Sequence, residues 1–258
     1  MGGATALATR GFSDRIQDLL ERLDYLLVET DEEREQIFRL RYDAYLREGA
    51  ISPSLSKKIY DPFDDADNTW TFGLHVEGQI LSSIRICVPS VERPMTPAVE
   101  AFPEFLEKEV AQGKTIIDSN RFVADAQAAR TFSELPYLTV RVGYLASAYF
   151  DADLNTATVR KEHQAFYRRV FGLGFEPVCE PRDYPSLTKP LSLMMLDFRS
   201  NRQKIIARNP YFRSTFFERK KLFERHRPPR RTAAMLQAKL PSANINEAPE
   251  TASSGKQR

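Results

Sequence analysis

The sequence holds few of the residues from which cofactor sites and small scaffolds are built. Two cysteines, Cys87 and Cys179, and three histidines are spread over 258 residues. Neither a disulfide framework nor a metal-ligand spacing can be assembled from them, which excludes a disulfide scaffold and a zinc finger. Eleven glycines without a period exclude collagen. Long hydrophobic runs are also missing. No uncharged apolar stretch nears the roughly 18 residues of a membrane span, so no transmembrane helix or channel is expected. The opening MGGATALATR has no basic start followed by an apolar stretch, so no secretory signal is expected. What remains is a soluble globular protein of a reducing compartment, with the cytoplasm as its expected location. With 42% hydrophobic residues and a length worth one or two domains, the chain can bury a core.

The net charge of +2 conceals a division. Residues 199–258 hold 15 Lys or Arg against 4 Asp or Glu, a net of +11, which leaves −9 for residues 1–198. An acidic body with a basic appendage implies an anionic partner for the appendage, or an appendage folded back on the body. From Pro241 onward, PSANINEAPETASSGKQR has almost no large apolar residue to offset its ordering entropy, so 241–258 is expected to be disordered. The expected organisation is a main domain over 1–198, a basic amphipathic helical extension over 199–240, and that tail.

Hydrophobic periodicity predicts a helix over 13–23, a short buried strand over 24–30 and an amphipathic helix over 31–48 that opens with acids at its positive dipole end. Residues 49–69 read as loop. TWTFGLHVEG and QILSSIRICVP read as two strands joined by a Glu77-Gly78 turn. Residues 98–113 read as helix around a proline, 114–125 as strand, 126–138 as loop, and 135–153 as a long apolar helix. A strand over 155–160, a helix over 162–174 closed by glycine, and two strands, FEPVCEP and LSLMMLDF, follow. This order describes an α/β fold: a mixed central sheet flanked by helices on both faces.

Four stretches are more specific: IFRLRYDAYLREG (37–49), DPFDD (61–65), SSIRI (82–86) and DSNRFV (118–123). Their order and spacing, with HQAFYRRVFGLGF (163–175) after them, resemble the acyl-homoserine-lactone synthases and, more closely, the N-acyl amino acid synthases. Both have a GNAT-like acyltransferase fold, and the resemblance covers roughly 24–198. It implies transfer of a long-chain fatty acyl group from acyl carrier protein to the α-amine of an amino acid. No cofactor is then bound, since the donor is the acyl-phosphopantetheine of the carrier. The resemblance places catalytic roles on Asp118 and Arg121, and substrate-binding roles on Arg41, Asp61, Asp64, Arg85, Asn120 and Phe122. Homoserine-lactone synthases usually carry Glu where this chain has Asp118, Ser where it has Asn120, and a Trp near Glu48-Gly49-Ala50. Those departures point away from a lactone product. A homoserine-lactone synthase using S-adenosylmethionine and an ornithine-lipid type N-acyltransferase remain alternatives. A basic membrane- or nucleic-acid-binding module on the same fold is the non-enzymatic one.

The residues speak to the chemistry directly. Amide formation from a thioester needs a base for the amine proton and donors for the developing oxyanion. Asp118, Asp61 and Asp64 are the candidate bases, and Asp118 stands out because it interrupts an apolar strand. A substrate carboxylate suits a guanidinium, which Arg41, Arg85 or Arg121 could supply. For Arg41, Asp61, Asp64 and Arg85 a structural ion-pair network is an equal reading. The oxyanion donors are expected to be backbone amides along 118–125. Tyr144, Tyr149, Phe150, Phe166 and Phe171 read as core, Cys87 as a buried small hydrophobe, and His163 as a polar residue at a helix start. The segment AQAARTFSELPYL (126–138) has no glycine with which to cradle a coenzyme A pyrophosphate, which favours a carrier-protein donor.

The basic segment 199–231 alternates charge with aromatics. A single helical stripe of Phe212, Phe216, Leu222 and Phe223 is expected, with cations around it. Lys220, Lys221 and Arg225 are the candidate docking residues for an acidic carrier protein. An anionic inner-membrane surface is a further option, and nucleic acid is the least favoured because no base-reading motif accompanies the charge.

Overall fold

The computed structural model describes residues 11–184 and 187–224, so Arg225 and the expected tail over 241–258 lie outside the described residues. Among the described residues seven strands form one sheet: β1 (Leu23–Leu27), β2 (Thr69–Val76), β3 (Gln79–Cys87), β4 (Ile116–Ala124), β5 (Leu154–Val159), β6 (Glu176–Pro177) and β7 (Ser192–Asp197). Their spatial order is β1-β2-β3-β4-β5-β7-β6, and every neighbouring pair is antiparallel except β4 with β5. The β2–β3 hairpin turns at Glu77 and Gly78, both at positive φ (52° and 79°), as tight two-residue hairpins require.

The parallel pair needs a crossover. It is made by α5 (Ala126–Thr131) and α6 (Leu135–Tyr149), whose apolar residues bury almost all round and put the main core between α6 and the sheet. Gly143 is where α6 comes closest to β4: a Cβ there would stand 2.6 Å from Ser119 Oγ. α1 (Phe12–Arg22) and two C-terminal helices, α8 (Phe198–Arg208) and α9 (Phe216–Phe223), pack on the same side. The opposite face carries α2 (Asp31–Arg47), α3 (Pro97–Ala101) and α4 (Pro103–Ala111). α2 begins with a reciprocal cap between Thr30 and Glu33, and three acids fill its first turn.

Several expectations are corrected. The helix over 98–113 divides at Phe102-Pro103, because proline has no amide to continue the first helix but suits the start of a second. The loop over 126–138 contains the helix α5. The helix over 162–174 is a 3-10 turn followed by α7 (Gln164–Phe171), and the strand over FEPVCEP shrinks to two residues ending in proline. β1 is a half-exposed sheet edge rather than a buried strand. The single stripe over 212–223 does not form: Asn209-Pro210 ends α8, Phe212 is buried in a 3-10 turn, and only Phe223 of α9 is buried.

Candidate active site

β4 and β5 pair only from Ile116↔Leu154 to Ser119↔Ala157 and then separate. On its other side β4 pairs with β3 through Asn120↔Arg85 and Val123↔Ser83, so Arg121 and Phe122 oppose the single residue Ile84. This is a β-bulge, which bends and twists the strand that carries it. Arg121 sits at φ 53°, a left-handed conformation that is costly for a side chain with a Cβ and is found at sites where surroundings enforce it. Beyond the bulge the β5-facing edge of β4 has no strand partner among the described residues. The gap is a cleft of about 380 Å³. Ser119 through Ala124 line one wall and Thr158, Val159 and Arg160 the other, with the C-terminal end of α2, Pro136 of α6, and Phe166 and Tyr167 of α7 completing it. The hydroxyls of Ser119 and Thr158 are buried with no hydrogen-bond partner among the described residues. Across the top, Thr188 donates through its amide to Ala50 O (2.9 Å) and through Oγ1 to Gly49 O (2.7 Å), tying two loops together.

Behind β4, on the α2 face, the motif residues form one network. Arg41 Nη1 donates to both oxygens of Asp64 at 2.8 and 3.0 Å. Arg85 grips Asp61 with both terminal nitrogens (2.7 and 3.1 Å), reaches Asp64 at 3.0 Å, and donates through Nε to Asn120 Oδ1 at 2.7 Å. Arg121 donates to Asp61 Oδ2 through Nη2 (2.5 Å) and Nε (3.2 Å). Local sequence prepares the acids: Asp61 caps the short 3-10 turn Pro62–Asp65, accepting from Phe63 N, while Asp64 accepts from Asp61 N. Burial alone would raise both aspartate pKa values, but the guanidiniums outweigh it and hold them below the usual carboxylate range. Arg41 and Arg85 are fully buried, whereas the Asp61 and Arg121 side chains are 20% and 14% exposed. Only the outer end of the network can touch a substrate without rearrangement.

Asp118 is 1% exposed in the middle of the sheet, not at an edge. Its Oδ2 accepts from the Ala98 amide at the start of α3 (3.0 Å), and its Oδ1 has no hydrogen-bond partner among the described residues. Burial raises its pKa. Tyr184, absent from the sequence reading, is close enough to feel the charges of Asp118, Arg121 and Arg85. Cys87 is buried opposite Asp118, and its thiol is pushed up to about 11 by burial, which suits packing rather than nucleophilic attack.

Phe122 lines the cleft, as does Phe166, which periodicity had assigned to the core. His163 makes no capping bond. It stands on the cleft wall with its Nε2 3.1 Å from Arg160 Nη2, and burial and that neighbouring charge lower its pKa. Arg160 also pairs with Glu48 across the mouth, and Arg47 and Lys189 add two more cations there. Lys220 and Lys221 stand elsewhere. α9 packs along α6 from Arg141 to Tyr149 and against Phe150 just beyond it, whereas Pro136 meets the cleft, and at 1.5 Å per residue Pro136 and Tyr149 are roughly 20 Å apart. Tyr144 and Phe171 are core as expected, and Tyr149 and Phe150 pack against it half-buried.

A mixed sheet whose one parallel pair splays open at a bulged strand gives the chain a GNAT-like fold. Within that class, residues 36–197 match the family of the N-acyl amino acid synthase FeeM, and the chain belongs to it. Among solved structures, FeeM itself, an N-acyl amino acid synthase from uncultured soil microbes, aligns with a TM-score of 0.57 at 18% identity, covering 75% of this chain and 99% of that one. The CoA-dependent acyl-homoserine lactone synthase BjaI gives 0.53 at 15% identity (73% and 90%), and the synthase LasI 0.51 at 16% (67% and 89%). At such identities the likeness shows the fold. No curated protein matches the chain in sequence.

Proposed function

We propose that this acyltransferase moves a long-chain acyl group from the phosphopantetheine of an acyl carrier protein to the α-amine of an amino acid. The observation that carries the acceptor is the charge balance behind the bulge. Within the network Arg41, Arg85 and Arg121 face Asp61 and Asp64, three guanidiniums against two carboxylates, an excess of one positive charge. That excess favours a substrate carboxylate at Arg121, the network's exposed cation. The thioester then lies in the splay, where β4 amides beyond Ser119 are free to donate to the oxyanion. Asp118, on the same face as Asn120, is the carboxylate placed to accept the amine proton through water.

The donor assignment rests on the helix starts after β4. A coenzyme A pyrophosphate would need their free amides. At α5 those of Gln127 and Ala128 are already taken by the Asp125 carboxylate (2.8 and 2.9 Å), and the buried Glu134 stands before α6. Two carboxylates guard the positions a pyrophosphate would occupy. The cationic rim of Arg47, Arg160 and Lys189 suits an acidic carrier whose arm enters the cleft. The test is mass spectrometry of reactions supplied with acyl carrier protein or coenzyme A thioesters of matched chain length, an amino-acid mixture and S-adenosylmethionine. An N-acyl amino acid formed from the carrier thioester is expected. A lactone product, or equal use of both donors, contradicts the reading.

A further inference from the structure

We propose that α9 is a membrane-docking element that seats the protein on an anionic lipid surface. The helix divides sharply. Its inner side is fixed: Phe223 is buried against Phe72 and Phe150, Trp70 Nε1 donates to Phe223 O (3.1 Å), and Glu218 pairs with Arg141 (2.7 Å). Its outer side carries Phe217, 79% exposed, with Lys220 and Lys221 three and four residues on and therefore on the same face. Phe216 beside it is 57% exposed, with one flank on Tyr149 at a centroid distance of 6.5 Å. Phe216 was expected in a packed stripe, yet it and its neighbour Phe217 are left in water, at the Tyr149 end of α6 and far from the cleft.

Charge complementarity selects the partner. Residues 198–224 contain eight Lys or Arg and two Asp or Glu. Glu218 is turned inward to Arg141, and Glu224, paired with Lys220 at 3.5 Å, is the acid beside the outer cations, which outnumber it. Four more arginines follow at once in RHRPPRR (225–231). Protruding aromatics flanked by cations are the composition of an interfacial anchor: the rings enter the headgroup boundary while the cations hold the anionic surface. Phe217 stands out of the surface rather than lining a groove, which fits a fluid interface.

The test is co-sedimentation of the full chain with vesicles of equal parts phosphatidylcholine and phosphatidylglycerol, and with phosphatidylcholine alone. Phe217→Ser and Lys220→Glu/Lys221→Glu are the variants, and thermal melts confirm that each is folded. Binding to the mixed vesicles only is expected, falling roughly tenfold or more in each variant and weakening with added salt. No sedimentation of the wild type overturns the proposal, as does binding that Phe217→Ser leaves unchanged. Loss of acyl carrier protein binding in the lysine variant, with vesicle binding retained, also overturns it and assigns the face to the carrier. Product formation in solution is a separate readout, so failure here leaves the acyl-transfer reading standing.

Discussion

Asp61→Asn removes the charge at the hinge between the buried and exposed parts of the network while keeping its shape. In the wild type this carboxylate receives four hydrogen bonds from Arg85 and Arg121, at 2.5 to 3.2 Å, and caps the turn at Phe63. Unpairing a buried charge typically costs about 3–5 kcal/mol. Arg85 keeps Asp64 at 3.0 Å and Asn120 at 2.7 Å, and Asp61 is 20% exposed, so the low end applies, about 3 kcal/mol. For a chain of this size that is roughly 6–10 °C in Tm. The pH dependence has a definite sign. The folded pKa of Asp61 lies below the unfolded value of about 3.9, so its stabilisation is complete above that pH and is lost as the pH falls through the folded value. Urea unfolding of both proteins from pH 8 down to pH 2 measures this. The gap should stay constant through neutral pH and close in acid. Turnover should also fall about a hundredfold, because Arg121 loses the brace that holds it at the cleft. A gap below 1 kcal/mol at pH 7, or one unchanged at pH 2, would refute the reasoning.

Further outcomes follow from single contacts. Asp118→Asn should lower kcat by about 10² to 10⁴ while stability holds or rises, since burial disfavours the native charge; because its folded pKa is raised, wild-type stability should decline as the pH climbs above about 4, and the variant should lack that decline. Wild-type turnover in Asp118→Asn would move the base to Asp61. Gly143→Ala should destabilise by about 1–3 kcal/mol, because the new methyl meets Ser119 Oγ at 2.6 Å, and Ser119→Ala should restore most of the loss; additive effects in the double variant would contradict the contact. Asp125→Asn keeps an α5 cap but removes its charge, so the ratio of kcat/KM for acyl-coenzyme A over the carrier thioester should rise; an unchanged ratio would contradict the guarding role.

The sequence revealed the motif residues better than their division of labour. Arg41, Asp61, Asp64, Arg85, Asn120 and Arg121 do converge: strand pairing puts Arg85 and Asn120 on one face, α2 and the 61–65 turn bring Arg41, Asp61 and Asp64 over it, and the bulge turns Arg121 to the same side. That Arg41 and Arg85 would be sealed and Arg121 left at the surface depends on how α2 and the 61–65 turn cover the sheet, which is a tertiary matter. The bulge that opens the cleft has no local signature: Arg121 adopts positive φ without a glycine to announce it. Phe166 and Phe171 share helical spacing, yet one lines the cleft and the other the core, because only packing tells the two faces of α7 apart. The expected stripe is interrupted at Thr215, which caps a new helix by accepting from Glu218 N and so separates Phe212 from Phe216.

The central claim is that acyl transfer occurs where β4 and β5 part. A crystal structure with a stable amide analogue of acyl-phosphopantetheine tests it most directly. The account predicts the arm lying between the Asn120–Ala124 segment and Thr158–Val159, with the amide carbonyl facing β4 backbone N–H groups and Arg121 within reach of the acceptor side. An analogue bound outside the splay, with the cleft between β4 and β5 empty, would contradict it.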